Sequence, residues 1–125
     1  LLPGGLSQSK GSFTENFVCT QIETLDNITL TYFSRSDSQL EIDFVLQLSD
    51  QVIPIEVKAE ENLKSKSLKT FVEEHTGLHG LRFSMSDYKE QEWLTNVPLY
   101  CAGLYLKDKK KKRDEEIRKI LSEVL

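Results

Sequence analysis

Hydrophobic and polar residues alternate with a period of two along two neighbouring segments in the middle of the chain. In Glu41–Leu48, and again in Val52–Lys58, apolar side chains occupy every second position. This period is typical of strands that bury one face against a core. The polar residues Ser49, Asp50 and Gln51 separate the two segments, so the sequence predicts a β-hairpin.

Helices and further strands are predicted on both sides of this hairpin. Strands are expected at residues 28–33, 81–85 and 97–102, and a short helix or turn is expected at 88–93. Three longer helices are expected: from Ser12 to about Leu25, from Ser65 or Ser67 to His75, and from Asp114 to Leu125. Because a helix separates the third and fourth strands, they are predicted to be parallel and joined by a crossover. The fold class is therefore α/β, with a mixed sheet of four to five strands flanked by helices.

Charged residues interrupt the second face of the predicted hairpin. If Gln47 pairs with Val52, then Asp43 lies directly opposite Glu56, with Cβ atoms roughly 4.5–5.5 Å apart. Two adjacent carboxylates repel each other unless a positive charge compensates them. A divalent metal ion can supply that charge, and Lys58 on the same face adds to it. The alternative interpretation is a surface salt bridge between Lys58 and one of the carboxylates.

The order of these charged residues resembles a known signature. Asp43, twelve intervening residues and then Glu56-Val57-Lys58 resemble the motif of the PD-(D/E)XK nuclease superfamily. The local sequence at residues 41–44 and 53–59 is similar to that of one subgroup. This subgroup is a nuclease-like domain of unknown function found C-terminal to AAA-type ATPase modules in bacteria and archaea. Ile42 occupies the position at which the superfamily name has proline, and the residue type at this position varies within the superfamily.

The resemblance extends from about Gly11 to Gly103 and implies a restriction-endonuclease-like core: a helix, a three-strand antiparallel meander, a helix and a parallel strand. It implies that Asp43, Glu56 and the carbonyl of Val57 bind Mg²⁺ or Mn²⁺ through oxygen ligands. Such a metal ion would activate a water molecule and neutralise charge on a phosphoryl transition state. Lys58 would then orient the water or stabilise the developing negative charge.

Three residues on the predicted helices are further candidates for the site. Ser12 and Glu15 match a capping box, in which Glu15 closes the start of the helix. The resemblance implies a different role, in which Glu15 is the first-helix acid that completes the metal site. Lys66 and Lys69 begin the second helix and are candidates for phosphate contacts, although exposed helix lysines more often serve solubility alone.

The charge distribution argues against simple DNA binding. The formal net charge is −4, but the segment Lys107–Arg113 holds six basic residues and one acidic residue, which leaves 10 basic and 19 acidic residues in the remainder. A remainder this acidic is repelled by phosphates unless metal ions neutralise its carboxylates. The basic run is interpreted as a solvated linker or the start of a helix, rather than as a nucleic-acid site.

The predicted organisation has three parts. Residues 1–10 form a flexible segment, residues 11–106 form the nuclease-like α/β domain, and residues 107–125 hold the basic run and a C-terminal amphipathic helix. The apolar stripe of that helix needs a partner surface, in this domain or in another protein. Because the chain begins with Leu rather than Met, we expect a fragment of a longer protein.

Two functional hypotheses follow. The first is a metal-dependent nuclease that hydrolyses DNA, as the C-terminal domain of a larger ATPase. The second is a catalytically silent nuclease-fold module that binds a partner or nucleic acid and regulates the ATPase. At this stage it is open whether the chain is an enzyme.

Cysteine and histidine spacing gives no competing metal site. Cys19 and Cys101 are isolated and are predicted to be free thiols. His75 and His79 are four residues apart, but Gly77 lies between them, which favours a helix end over a ligand pair. With neither a signal peptide nor a long apolar run, we expect a cytoplasmic protein that makes no membrane contact.

Overall fold

The computed structural model describes residues 10–26, 28–32, 44–59 and 64–125. The elements within these residues, in chain order, are α1 (Lys10–Glu23), β1 (Ile28–Tyr32), β2 (Phe44–Leu48), β3 (Gln51–Lys58), α2 (Lys66–Glu74), β4 (Gly80–Ser84), β5 (Lys89–Glu90), β6 (Leu94–Pro98), a 3₁₀ turn (Leu99–Cys101) and α3 (Ala102–Val124). The predicted α/β fold class is confirmed.

The described strands form one mixed sheet in the order β1-β2-β3-β4-β6-β5. Strands β1, β2 and β3 pair antiparallel, and β4 runs parallel to both β3 and β6. The meander and the parallel crossover are therefore confirmed. In the hairpin Gln47 pairs with Val52, which is the predicted register. Ser49 adopts a φ of 56° in the tight turn.

Helices cover both faces of the sheet, and α1 and α3 pack together on one of them. This face carries the main core, because alternate residues of β2, β3, β4 and β6 meet buried side chains of both helices: Val18, Cys19, Ile22, Phe44, Leu46, Leu48, Ile53, Ile55, Leu81, Phe83, Val97, Ala102 and Leu106. Burying one large apolar side chain contributes about 1.5–3 kcal/mol, so this cluster is the principal source of stability.

Helix α2 covers the other face with a smaller apolar cluster. Leu68, Val72 and Leu94 are buried there, with Trp93 packed against them. The rest of this face is polar, and it holds the candidate site described below. The helix ends at Glu74 and is followed by Gly77 in a left-handed conformation, with φ of 90°. The predicted helix end in this region is therefore confirmed, with His75 as the C-cap and His79 in the loop before β4.

Several sequence predictions need correction near the ends of elements. Helix α1 already includes Lys10, so Ser12 lies inside the helix and is not its N-cap. The segment predicted as a short helix or turn at 88–93 contains strand β5, which pairs with β6. Strand β6 is consequently not an edge strand. It spans Leu94–Pro98 instead of the predicted residues 97–102, and the 3₁₀ turn Leu99–Cys101 then leads into α3.

Helix α3 is 23 residues long and begins twelve residues before the predicted start at Asp114. Its first turns are helical because Ala102 and Leu106, four residues apart, are both buried in the main core. The lysine run continues the same helix, where Lys112 pairs with Asp108 at 2.9 Å between Nζ and Oδ2. The predicted boundary between residues 106 and 107 therefore falls within one continuous helix.

The last turns of α3 are helical, as predicted, and their apolar stripe is exposed. Ile120 and Leu121 are 52% and 51% exposed, and Val124 is 76% exposed. Cys19 and Cys101 are free cysteines, as predicted. Within the described residues, no helix combines the length and the apolar character that crossing a membrane requires. The predicted N-terminal segment, apart from Lys10, lies outside the described residues.

Candidate functional site

A row of polar side chains crosses the α2 face of the sheet. Glu56 of β3 is the register partner of Arg82 on β4, which in turn is the partner of Asn96 on β6. Side chains at register partners of parallel strands point to the same face. All three residues are buried, at 6%, 5% and 2% exposure. The polar row therefore lies inside the protein, next to the small apolar cluster under α2.

Hydroxyl groups link the polar row to the elements that flank it. Ser65, directly before α2, donates a hydrogen bond from Oγ to Glu56 Oε2, and Arg82 Nη1 donates to Ser65 Oγ at 2.8 Å. Arg82 Nε donates to Asn96 Oδ1, also at 2.8 Å, and Ser84 Oγ donates to the same oxygen at 2.7 Å. We call Glu56, Ser65, Arg82, Ser84 and Asn96 the buried polar network.

Asn96 also closes the loop that follows β4. Its Nδ2 donates to the carbonyls of Ser86 at 3.2 Å and Asp87 at 2.9 Å, while the Ser86 amide donates to Ser84 Oγ at 3.1 Å. Both ends of the Asn96 amide are thus hydrogen-bonded, which burial of an amide requires. This side of the network is rigidly held between β4 and β6.

Lys58 lies at the exposed end of the network. Its Nζ is 3.6 Å from Glu56 Oε1, and its side chain is 30% exposed, against 8% for that of Glu56. Lys58 and Glu56 therefore share one face of β3, as predicted, with the ammonium group nearer to solvent. The carboxylate of Glu56 lies between this ammonium group and the hydroxyl of Ser65.

Arg82 supplies a buried positive charge on the strand next to Glu56. Burial lowers the pKa of Arg82, and the nearby Glu56 carboxylate partly offsets that effect. A guanidinium group stays protonated even when its pKa is lowered, because its ordinary pKa is above 12. Glu56 therefore has two cationic neighbours, one buried and one half-exposed.

Two of the predicted metal ligands, Asp43 and the backbone carbonyl of Val57, stay predictions. Asp43 lies outside the described residues, so its position opposite Glu56 stays a prediction. The described register, with Phe44 opposite Ile55, is the one that this prediction assumes. The side chain of Val57 packs against the main core on the other face. Within the part of the chain that the structure describes, no group of three or more His, Cys, Asp or Glu side chains could hold a metal ion.

The predicted residues on helices lie on both sides of the sheet. Lys66 and Lys69 are exposed in the first turns of α2, the helix that covers the Glu56 face. Glu15 is half-buried on α1, and Val18 and Ile22 of that helix pack against the opposite face. The structure therefore brings Glu56 and Lys58 together, with two lysines on the adjoining helix, and places Glu15 on the helix that covers the other face.

Four members of this site were not predicted from the sequence: Arg82, Asn96, Ser65 and Ser84. The sequence signal was limited to Arg82 and Ser84 at the polar positions of an alternating strand; the structure shows that these positions are as buried as the apolar ones. Ser65 or Ser67 was predicted to begin helix α2; Ser65 is the N-cap residue, but its side chain makes no capping bond and contacts Glu56 instead. Only the register between β3 and β4 shows that these residues meet.

Comparison with known protein families gives one match. The model of the family described as a domain of unknown function, DUF4143, matches residues 10–102. The chain belongs to the DUF4143 family. The matched region includes α1, the whole sheet and the buried polar network, and it ends where α3 begins. No curated protein and no solved structure matches the chain significantly.

Proposed function

We propose that this DUF4143 domain is a metal-dependent nuclease of the PD-(D/E)XK type, which hydrolyses phosphodiester bonds in DNA. The observation that carries the proposal is the placement of Glu56 and Lys58 on one face of β3, with 3.6 Å between Oε1 and Nζ. The element order, a helix, a three-strand meander, a helix and a parallel strand, supports a restriction-endonuclease-like core.

The donor set fits a hard divalent cation. A carboxylate has about four lone-pair positions; Glu56 accepts a hydrogen bond from Ser65 through Oε2, and its Oε1 lies 3.6 Å from Lys58 Nζ. In this proposal Asp43, Glu56 and the carbonyl of Val57 hold Mg²⁺ or Mn²⁺, the oxygen-binding cations that suit such ligands. When bound, the ion supplies charge neutralisation and a more acidic water molecule.

The protein's own side chains position the reacting groups. Ser65 and Arg82 fix the orientation of the Glu56 carboxylate, because Arg82 Nη1 holds the Ser65 hydroxyl that bonds to Glu56. Lys58, which is closer to solvent, orients the attacking water or stabilises the negative charge that develops on the phosphate. In this proposal Lys66 and Lys69, exposed on α2, contact phosphates of the substrate.

A second function is favoured by a different observation. Within the protein, Glu56 already has a hydroxyl donor and two cationic neighbours, so the network is satisfied without an added ion. A nuclease fold whose acids are neutralised internally suits a silent module that binds a partner. In that case, the domain regulates an AAA-type ATPase module in the same full-length chain. Both functions are compatible with a cytoplasmic protein.

The test combines metal binding with cleavage. For the nuclease, we expect Asp43→Ala to reduce Mn²⁺ affinity measured by calorimetry. Lys58→Ala should retain the metal and lower the DNA cleavage rate by roughly 10²–10³-fold, the usual loss when one charge-stabilising donor is removed. Lys119→Ala, an exposed lysine on α3, is the matched control and should cleave at the normal rate.

The same calorimetry decides the role of Glu15. If Glu15 completes the metal site, Glu15→Gln weakens Mn²⁺ binding while the melting temperature stays the same. Unchanged Mn²⁺ affinity removes Glu15 from the site without affecting the rest of the proposal. The absence of both metal binding and cleavage, on single- and double-stranded DNA, would reject the nuclease and leave the silent module.

A further inference from the structure

Helix α3 carries a line of side chains whose positions alternate between three and four residues apart. The line begins with Tyr100 in the 3₁₀ turn before the helix and ends at the C-cap residue Leu125. Residues at this spacing share one face of a helix, and the paired helices of coiled coils contact each other through it. We call this set the α3 seam: Tyr100, Leu104, Lys107, Lys111, Asp114, Arg118, Leu121 and Leu125.

The α3 seam is apolar at both ends and charged in the middle. Tyr100 and Leu104 are 63% and 74% exposed at one end, and Leu121 and Leu125 are 51% and 99% exposed at the other. Leu104 and Leu121 are roughly 25 Å apart along the same helix, so the two apolar ends cannot cover each other within one chain. Exposed apolar groups at both ends of one line indicate a partner with a matching line.

We infer that the α3 seam pairs antiparallel with the same seam of a second copy of this chain, about a two-fold axis between residues 112 and 113. Because the seam positions are symmetric about this point, each seam residue meets another member of the seam. Leu104 lies opposite Leu121 of the second copy, and Tyr100 lies opposite Leu125. Such a contact is self-complementary and closes as a dimer. The inference does not depend on the proposed nuclease activity.

The charges in the middle of the seam favour this pairing. Lys111 lies opposite Asp114 of the second copy, with Glu115 one residue further, and the two-fold axis makes this contact occur twice. Among the ion pairs of the described residues none involves Lys111 or Glu115. Lys107 lies opposite Arg118 in a like-charged contact, but both are exposed and long enough to extend into solvent. In a parallel pair every seam residue would meet its own copy, so like charges would repel at each charged position.

The second helix has a preformed groove in which to lie. The inner residues of the seam line a groove of about 880 Å³ between α3 and the end of α1, where Thr24 and Leu25 form the other wall. Gln21 holds the two helices together, because its Nε2 donates to the carbonyl of Leu99 and its Oε1 accepts from the amide of Gly103, each at 3.0 Å. A helix in this groove contacts both α1 and α3, so two copies form a four-helix arrangement.

The pairing leaves the candidate site accessible. Helices α1 and α3 cover one face of the sheet, whereas Glu56 and Lys58 lie on the other. The dimer therefore presents two candidate sites on its outer faces, one in each copy.

Sedimentation equilibrium of the whole chain, over a range of protein concentrations, tests the pairing. We expect the measured mass to approach twice the chain mass of 14.4 kDa as the concentration rises. A chain that stays monomeric at every concentration would overturn the inference and leave the seam to a different protein. A mass that rises beyond the dimer would also overturn it, because a two-fold pairing through one seam is closed.

One substitution in the seam and one outside it locate the interface. Leu104 and Val124 are similarly exposed, at 74% and 76%, but lie on opposite sides of α3, since twenty residues correspond to a rotation of about 200°. Leu104→Asp places two charges per dimer against Leu121, so we expect the dissociation constant to rise at least about 100-fold. Val124→Asp should leave it unchanged, and circular dichroism should show native helicity for both variants. Equal weakening by Val124→Asp would overturn the assignment to the seam.

A charge exchange tests the antiparallel register. Lys111→Glu and Glu115→Lys each bring like charges together twice, so each should raise the dissociation constant roughly tenfold. Glu115 is chosen because Asp114 also binds Lys110 of its own chain, at 2.6 Å. Mixing the two variants, one of them carrying a fluorescent label, should restore the original affinity, because opposite charges then face each other in the mixed dimer.

Failure to restore affinity would overturn the antiparallel register. Stronger recovery on mixing Lys111→Glu with the original chain would also overturn it, because that result is expected of a parallel pair. Since none of these measurements uses metal binding or DNA cleavage, their failure is distinguishable from failure of the proposed nuclease.

Discussion

On the face of the sheet that α1 and α3 cover, Phe44, Leu46, Ile55 and Phe83 point into a large apolar core. On the face that α2 covers, the same strands bury a carboxylate, a guanidinium group and an amide over a cluster of only three apolar residues. The two faces belong to the same backbone, so the difference lies entirely in which side chains occupy the odd and even positions.

The comparison separates residues that stabilise the fold from residues that carry chemistry. Replacing a buried ion pair with apolar residues of similar size is often neutral or stabilising. The buried polar network is therefore a poor way to obtain stability, whereas strongly perturbed buried charges are common at functional sites. We assign stability mainly to the α1/α3 face, whereas the proposed nuclease site lies on the α2 face.

Matched leucines give the largest expected effect and the most direct test of this assignment. Leu46 and Leu68 are both 0% exposed, one in the main core and one in the small cluster. We expect Leu46→Ala to lower the free energy of unfolding by about 4–5 kcal/mol and Leu68→Ala by about 3 kcal/mol, because the smaller cluster can collapse around the lost side chain. Urea denaturation measures both. A larger loss for Leu68→Ala would reverse the assignment.

Removing one charge from the polar row should be next in size. Arg82→Met leaves Glu56 buried without its guanidinium neighbour and removes donors to Ser65 and Asn96. We expect a loss of about 3 kcal/mol in unfolding free energy, typical of breaking one partner of a buried pair. The double variant Glu56→Gln with Arg82→Met should recover part of that loss, since no unpaired charge remains. A single-variant loss below about 1 kcal/mol would show that the row is effectively solvated.

The smallest expected effect concerns the contact between α1 and α3 on the apolar face. Gln21 Nε2 donates to the carbonyl of Leu99, and its Oε1 accepts from the amide of Gly103, each at 3.0 Å. Gln21→Ala would leave that amide, in the first turn of α3, without a partner. We expect a loss of about 1–2 kcal/mol, comparable with removing a helix cap. Gln91→Ala, an exposed control, should not change the urea midpoint.

Much of the fold was accessible from the sequence because it depends on local pattern. The alternation in β2 and β3, the short polar turn and the helical period of α2 determine which side chains are buried, and these elements lie where they were predicted. Asp43, Glu56 and Lys58 were recognisable because their spacing resembles that of a nuclease motif. The predicted hairpin register also holds over the described pairs.

The errors arose where tertiary contacts override the local pattern. The C-terminal helix was predicted to begin at Asp114, but α3 begins at Ala102 because Ala102 and Leu106 anchor its first turns in a core contributed by distant strands. Strand β5 has only two residues, which are too few to show the alternation of apolar and polar residues that predicts a strand. It forms because the edge of β6 is available for pairing. Ser65 suits a helix cap by its position, yet a carboxylate nine residues earlier takes its hydroxyl.

The sequence by itself determined the fold class, the hairpin and the pairing of Glu56 with Lys58 on one face, because a strand's period of two fixes which side each residue takes. Only the tertiary structure decided that Arg82 and Asn96 extend this pair into a buried network, since the register of parallel strands depends on the crossover between them. It also decided that His79 shares a cavity with Tyr105 and Lys109, because the loop before β4 and helix α3 are distant in the sequence and meet only in the folded chain.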